Sequence, residues 1–221
     1  MKSQSGGQKI DWDADSESLD LSLGFRVFAV EAEVAVKAVG QQAELWSSKG
    51  PAVFQTPYAE LRAMMTELAL PPGSRLVDLG CAYGRLGIVV AQFFPEIEFT
   101  GFEISVERVA EARRVYSELG LDPRRVVEAD LSGPEFQLPG ADAYFIFDYG
   151  TRSAVQKTLD DLSQIARSES RPFVVVGRGR RVRDLIERNE PWLSQVHAPR
   201  HCGNFSIYFS SAQHVSFCRK E

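Results

Sequence analysis

Four carboxylates close strand-like runs in this chain of 221 residues: Asp78 in Leu76-Val77-Asp78-Leu79, Glu103 after Ile97–Phe102, Asp130 after Val126–Ala129, and Asp148 after Ala143–Phe147. Acids at the carboxyl ends of buried parallel strands line one edge of a sheet, where they accept hydrogen bonds from hydroxyls or amines. Between the first two runs stands Gly80-Cys81-Ala82-Tyr83-Gly84, a small-residue turn whose glycines permit close approach of the backbone. An apolar segment at helical spacing, Leu86 to Ala91, follows it. A strand, a tight loop and a helix present backbone N–H groups and a helix N-terminus to a ligand. Taken alone, the same turn also serves plain strand-to-helix packing. Glu103 adds chemistry, because a carboxylate ending the next strand can accept a bidentate pair of hydrogen bonds from a ribose diol. Its other reading is a solvated acid capping the helix that begins near Ser105.

The elements that hold these acids alternate between strand and helix. Strands are expected at Arg75–Leu79, Ile97–Phe102, Val126–Asp130, Ala143–Phe147 and Phe173–Val176. Helical patterns cover Val106–Leu119, Ala154–Ala166 and Val182–Arg188. Such alternation is the mark of a mostly parallel sheet covered on both faces. Two last extended runs, Leu193–His197 and Phe205–Ser210, are joined too closely for a crossover and are read as an antiparallel hairpin at the sheet edge. The fold class is therefore α/β, a doubly wound seven-stranded and mostly parallel sheet with a C-terminal antiparallel hairpin and an N-terminal helical cap. Three divisions are expected: a mobile acidic arm over 1–20, the cap over 21–70, and the ligand-binding domain over 71–221. Within the cap, Phe25, Phe28, Ala29, Ala32, Val36 and Val39 recur at helical spacing. A second helix, Ala59–Leu70, stops at Pro71-Pro72-Gly73.

Net charge and cysteine usage narrow the function classes. A formal charge of −5 and a pI near 5.4 supply no global basic field, so nucleic acid is disfavoured as the main partner. Three cysteines without paired spacing suit a reducing, cytoplasmic setting, and the three histidines match no zinc-ligand spacing, so no metal is expected. No run of about eighteen apolar residues suggests a membrane span. The local exception to the acidic balance is Gly177-Arg178-Gly179-Arg180-Arg181-Val182-Arg183. Arg178 leaves the fifth strand on the ligand side, where it can meet an acidic substrate group, and the bland alternative is a solvated helix start. Arginines at a helix N-terminus oppose the macrodipole, so stability alone does not account for Arg180 and Arg181.

Residues 58–150 resemble the cofactor half of class I S-adenosylmethionine-dependent methyltransferases, through Val77-Asp78-Leu79-Gly80-Cys81-Ala82-Tyr83-Gly84 with Glu103 one strand on. Ala82 stands where that family's motif has its central glycine. The resemblance implies S-adenosyl-L-methionine as cofactor, with Asp78, Gly80, Ala82, Tyr83 and Gly84 forming its loop. It also implies that Glu103 holds the ribose hydroxyls, that Ile104 packs on adenine, and that Asp130 with Leu131 frames the adenine edge. The closing hairpin and Arg85, which occupies the third small position of a dinucleotide-binding turn, both separate the chain from a nicotinamide-dependent oxidoreductase. Thr56-Pro57-Tyr58 before a helix is similar to small lysine methyltransferases related to the non-SET histone enzymes, which implies that Tyr58 closes over the methionine end; otherwise it is a core aromatic. Asp148-Tyr149 falls where amino-methylating relatives carry an acid or amide and an aromatic, which implies Asp148 as acceptor of the substrate amine and Tyr149 as the wall of its slot. The expected activity is N-methylation of a protein lysine or a small amine. The rivals are a small-molecule O-methyltransferase with magnesium at Asp148, and a cofactor-binding scaffold without catalysis.

Overall fold

Runs of Val, Ile, Leu and aromatic residues without regular polar alternation form strands that are buried on both faces. The computed structural model describes residues 10–37, 55–147, 149–168 and 172–211. Its strands are β1 (Arg75–Leu79), β2 (Glu98–Glu103), β3 (Val126–Glu128), β4 (Ala143–Phe147), β5 (Val174–Arg178), β6 (Arg200–Cys202) and β7 (Phe205–Phe209), in the order β3-β2-β1-β4-β5-β7-β6. The first five pair in parallel, whereas β7 runs antiparallel to both β5 and β6. The order turns back on itself at β1, between β2 and β4, which places the ligand crevice of an open α/β sheet at the end of β1.

Helices α1 (Ser16–Ser22), α2 (Val27–Lys37), α3 (Tyr58–Leu68), α4 (Arg85–Phe93) and α5 (Val106–Glu118) supply one apolar layer with Leu76, Phe145, Val174 and Val176. Helices α6 (Arg152–Ser168), α7 (Arg180–Asn189) and the short α8 (Pro191–Ser194) cover the other face, over Val77, Tyr144, Ile146 and Val175. The alternation along each strand thus feeds two separate cores.

The hairpin begins later than the sequence suggests. Leu193 lies in α8, where Pro191 starts the helix and the leucine side chain is buried, and the sixth strand is Arg200–Cys202. Gly203-Asn204 is a two-residue link with Gly203 at φ +58°, so Cys202 pairs with Phe205.

The N-terminal region also differs. Residues 1–9 lie outside the described residues, but order begins before 20: Ile10 and Trp12 pack on the core, and Asp15 caps α1 by accepting from the N–H groups of Glu17 and Ser18. Leu19 and Asp20 are buried. Gly24, at φ +85°, separates α1 from α2. On α2 the buried position is Val30, while Phe28 and Val36 are exposed and Val39 lies outside the described residues. The apolar residues run almost all round α2, so spacing alone did not identify the inward stripe.

Candidate active site

Asp78 occupies a position of β1 that faces the layer of α3 and α4, opposite Gly101 on β2 and Phe145 on β4. A carboxylate there interrupts an apolar face. Among the described residues nothing donates a hydrogen bond to it, and it borders a cavity lined by Gln55, Leu61, Met64, Gly80, Ala82, Phe147 and Arg178, among others. Burial, with the negative Glu103 nearby, pushes the Asp78 carboxyl up to about 7.

The loop after β1 is pinned from several sides. Gly80 and Cys81 both donate to the Phe102 carbonyl, and the buried Tyr116 hydroxyl donates to the Gly84 carbonyl at 2.6 Å. Ala82 adopts φ +48°, the left-handed conformation that glycine enters without strain, so the turn keeps its shape despite the side chain. Glu103 is 5 % exposed. Its Oε2 accepts from the Ala82 N–H at 3.0 Å and its Oε1 from the Ser105 N–H at 2.9 Å, leaving lone pairs on both oxygens for a diol. Ser105 itself caps α5 by accepting from the Arg108 N–H. Ile104 and Asp130 lie exposed beside this acid while Leu131 is buried, giving an open shelf with an apolar floor. Ser132 donates to Asp130 through its hydroxyl and its N–H, which lowers the Asp130 pKa.

Two polar clusters join the N-terminal helices to this loop. In the first, the Tyr83 hydroxyl donates to Glu31 of α2 at 2.8 Å, Arg108 donates to both oxygens of Glu31, and the same guanidinium lies 3.7 Å from Glu103. In the second, buried Arg85 at the start of α4 pairs with buried Asp20, donates to the Thr56 carbonyl, and sits over the Tyr58 ring. Tyr58 donates to the same aspartate at 2.8 Å and is buried, and it lies off the cavity wall. Its neighbours Gln55 and Thr56 line the cavity in its place, and Gln55 Oε1 is buried with no hydrogen-bond partner among the described residues.

At the acceptor side, Asp148 lies outside the described residues. Tyr149 lays its ring across Gly80, close enough that a Cβ on Gly80 would stand 2.7 Å from the tyrosine Cβ, and its hydroxyl bonds to Thr158 of α6. Arg178 does line the cavity, over the Phe147 ring, but its guanidinium is engaged bidentately by Glu60 of α3 at 2.7 and 2.9 Å. Gln55, Glu60, Glu31 and Arg108 were not among the residues singled out from sequence. Their partners lie far away in the chain, and only Arg85, a cation on the first turn of an apolar helix, carries a local sign of its role.

A reversed β7 between β5 and β6, together with an acid-and-glycine loop after β1 and a second acid ending β2, defines the fold of class I methyltransferases. Residues 70–158 match the family model described as a methyltransferase domain, and S-adenosyl-L-methionine is the cofactor of this class. The residues present fit that cofactor: Asp78 offers an unengaged carboxylate, Glu103 free lone pairs, and Ile104 with Leu131 an apolar shelf. The Tyr149 ring covers the Gly80 side of this loop. The fold is similar to that of an RNA methyltransferase from Salinibacter ruber in complex with S-adenosyl-L-homocysteine, at 20 % identity and TM-score 0.51 over 70 % of this chain and 91 % of that one. It is also similar to TrmN from Thermus thermophilus, at 18 % identity and TM-score 0.50 over 70 % of this chain, which spans about half (48 %) of the TrmN chain. The mitomycin 7-O-methyltransferase MmcR aligns at 18 % identity and TM-score 0.51, over 87 % of this chain and 62 % of that one. A search of curated proteins finds no match. Among the described residues, no group of three or more His, Cys, Asp or Glu is arranged to hold a metal ion, and no helix is long and apolar enough to cross a membrane.

Proposed function

We propose that the chain transfers the methyl group of S-adenosyl-L-methionine to a nitrogen acceptor, the amine of a protein lysine or of a small molecule. The observation that carries this reading is the buried, unpartnered Oε1 of Gln55 on the cavity wall. A buried amide oxygen without a donor costs about 1–3 kcal/mol, and an entering N–H or O–H group relieves that cost. When bound, the cofactor supplies an electrophilic methyl carbon. Glu103 holds the ribose hydroxyls, Asp78 faces the cationic methionine end, and Ile104, Asp130 and Leu131 receive the adenine. Asp148 follows Phe147, which lines the cavity, and accepts a hydrogen bond from the amine so that its lone pair points at that carbon. The remaining task is positioning and the loss of one proton. A 71–221 catalytic domain under a 21–70 cap and a cytoplasmic setting belong to the same reading, and the buried free thiol of Cys81 fits the latter.

The Tyr149 ring across Gly80 favours a second reading, a cofactor-binding scaffold without turnover. Calorimetry with S-adenosylmethionine, followed by labelled methyl transfer to protein and small-molecule fractions, separates the two. Methyl transfer is expected to an amine, with kcat about 100-fold lower in Asp148→Asn at unchanged cofactor affinity. Binding without transfer to any fraction supports the scaffold.

A further inference from the structure

Four arginines, each at most 30 % exposed, are held in the same way, with one carboxylate on the Nε and Nη2 edge of the guanidinium. Asp20 holds Arg85, Glu31 holds Arg108, Glu111 holds Arg114 and Glu60 holds Arg178. Nη1 then points away from that carboxylate and takes a partner of its own. Three of the four have one: Arg85 Nη1 donates to the Thr56 carbonyl at 3.3 Å, Arg114 Nη1 donates to Glu118 at 2.7 Å, and Arg108 Nη1 stands 3.7 Å from Glu103. Arg178 is the exception, because among the described residues nothing accepts from its Nη1.

The unused edge belongs to the cavity. Arg178 and Phe147 both line it, Glu60 does not, and the guanidinium lies over the Phe147 ring, 4.4 Å from its centre. With Nε and Nη2 turned to Glu60, Nη1 is the edge left to face the open space. Gln55 lines the same cavity, and its buried Oε1 accepts from no described residue. The cavity therefore holds an unmatched cationic N–H edge and an unmatched amide oxygen, which a ligand with an anion and an N–H close together satisfies at once. Arg178 ends β5, which β4 separates from β1 and its loop, so this guanidinium stands on the methyl acceptor's side of the sheet.

We propose that the methyl acceptor is a free α-amino acid, with its carboxylate on Arg178 Nη1 and its amine on Gln55 Oε1. The inference rests on the methyl-transfer reading of this site and narrows it. An α-amino acid carries carboxylate and amine on one carbon, whereas a lysine side chain in a protein brings its amine to Gln55 and leaves Nη1 unmatched. One guanidinium serves two carboxylates without strain, as Arg114 does with Glu111 and Glu118. In the transfer, the ammonium first loses one proton to water. The nitrogen lone pair then bonds to the methyl carbon as the carbon–sulfur bond breaks, and the electrons of that bond stay on sulfur. The products are the N-methyl amino acid and S-adenosylhomocysteine.

The full chain, loaded with S-adenosylhomocysteine, is titrated by calorimetry with each standard amino acid, with the carboxamide of every one that binds, and with a lysine peptide blocked at both ends. Saturable binding of at least one free amino acid is expected, at least about tenfold tighter than its carboxamide. The same amino acid should accept labelled methyl from S-adenosylmethionine. The carboxamide comparison needs no variant. In Arg178→Met/Glu60→Gln, which leaves no carboxylate orphaned, amino-acid affinity should fall at least about tenfold while S-adenosylhomocysteine affinity stays unchanged. Equal affinity for the carboxamide, no binding by any free amino acid, or methyl transfer to the lysine peptide alone overturns the proposal and leaves nitrogen methylation standing. S-adenosylhomocysteine affinity lost in the double variant assigns Arg178 to the cofactor's own carboxylate and overturns it as well. Arg178-dependent binding of an amino acid with no methyl transfer to any amine keeps the site and breaks the methyl-transfer reading.

Discussion

The two ends of the sheet's carboxyl edge differ in the sign of their charge and in how that charge is held. At the β1–β3 end stand Asp78, Glu103 and Asp130, and the cations near them are enclosed by the N-terminal helices: Arg85 by Asp20, Arg108 by Glu31. At the β4–β5 end, Arg178 is engaged by Glu60, but Arg180 and Arg188 beyond it are largely exposed, on either side of Asp184. The difference teaches that acids of the N-terminal helices neutralise the cations beside β1–β3 and so keep that end acidic. A cationic cofactor suits the first.

The strongest way to break this contrast is to remove the cap's anchor. Asp20→Ala leaves the buried Arg85 without its carboxylate and should cost about 3–5 kcal/mol, read as a shift in urea unfolding. Next, Glu103→Gln keeps an acceptor for the Ala82 N–H but loses the charge. Cofactor affinity should fall about 10–100-fold by calorimetry, with the urea unfolding midpoint little changed.

The Asp78 carboxyl titrates near 7, above its ordinary value of 3.8. Its protonated form favours the fold, so that contribution is complete below about pH 4 and is lost as pH rises through 7. A cationic ligand group reverses the preference. Cofactor affinity should therefore rise between pH 5.5 and 7, by up to about tenfold per unit, and Asp78→Asn should flatten the profile. The smallest effect is Ala82→Gly, which relieves the left-handed strain at φ +48° and should stabilise the protein by up to about 1 kcal/mol in thermal unfolding, with cofactor binding retained.

What was legible in the sequence followed from local pattern. The five parallel strands are short apolar runs with turn chemistry beside them, and Asp78 through Gly84 and Glu103 lie within one strand-loop-helix-strand unit. The rest depends on contacts across long separations. Asp20 meets Arg85 after 65 residues, Glu31 meets Arg108 after 77, and Glu60 meets Arg178 after 118, and no periodicity encodes such pairs. Tyr58 was read from its order along the chain as a cofactor cover or else a core aromatic, and what the sequence does not encode is that its hydroxyl donates to Asp20, 38 residues away. The sixth strand was misplaced because Leu193–His197 is as apolar as a strand, while Pro191 starts a helical turn there.

The contact from Glu31 through Arg108 to Glu103 has a kinetic consequence. Glu103, the carboxylate proposed to grip the ribose, is one guanidinium away from α2, so departure of the nucleoside and opening of α2 should share a barrier. Amide hydrogens of Val30 to Val34 should then exchange more slowly when cofactor is bound, and the residence time of the cofactor should shorten in Glu31→Gln.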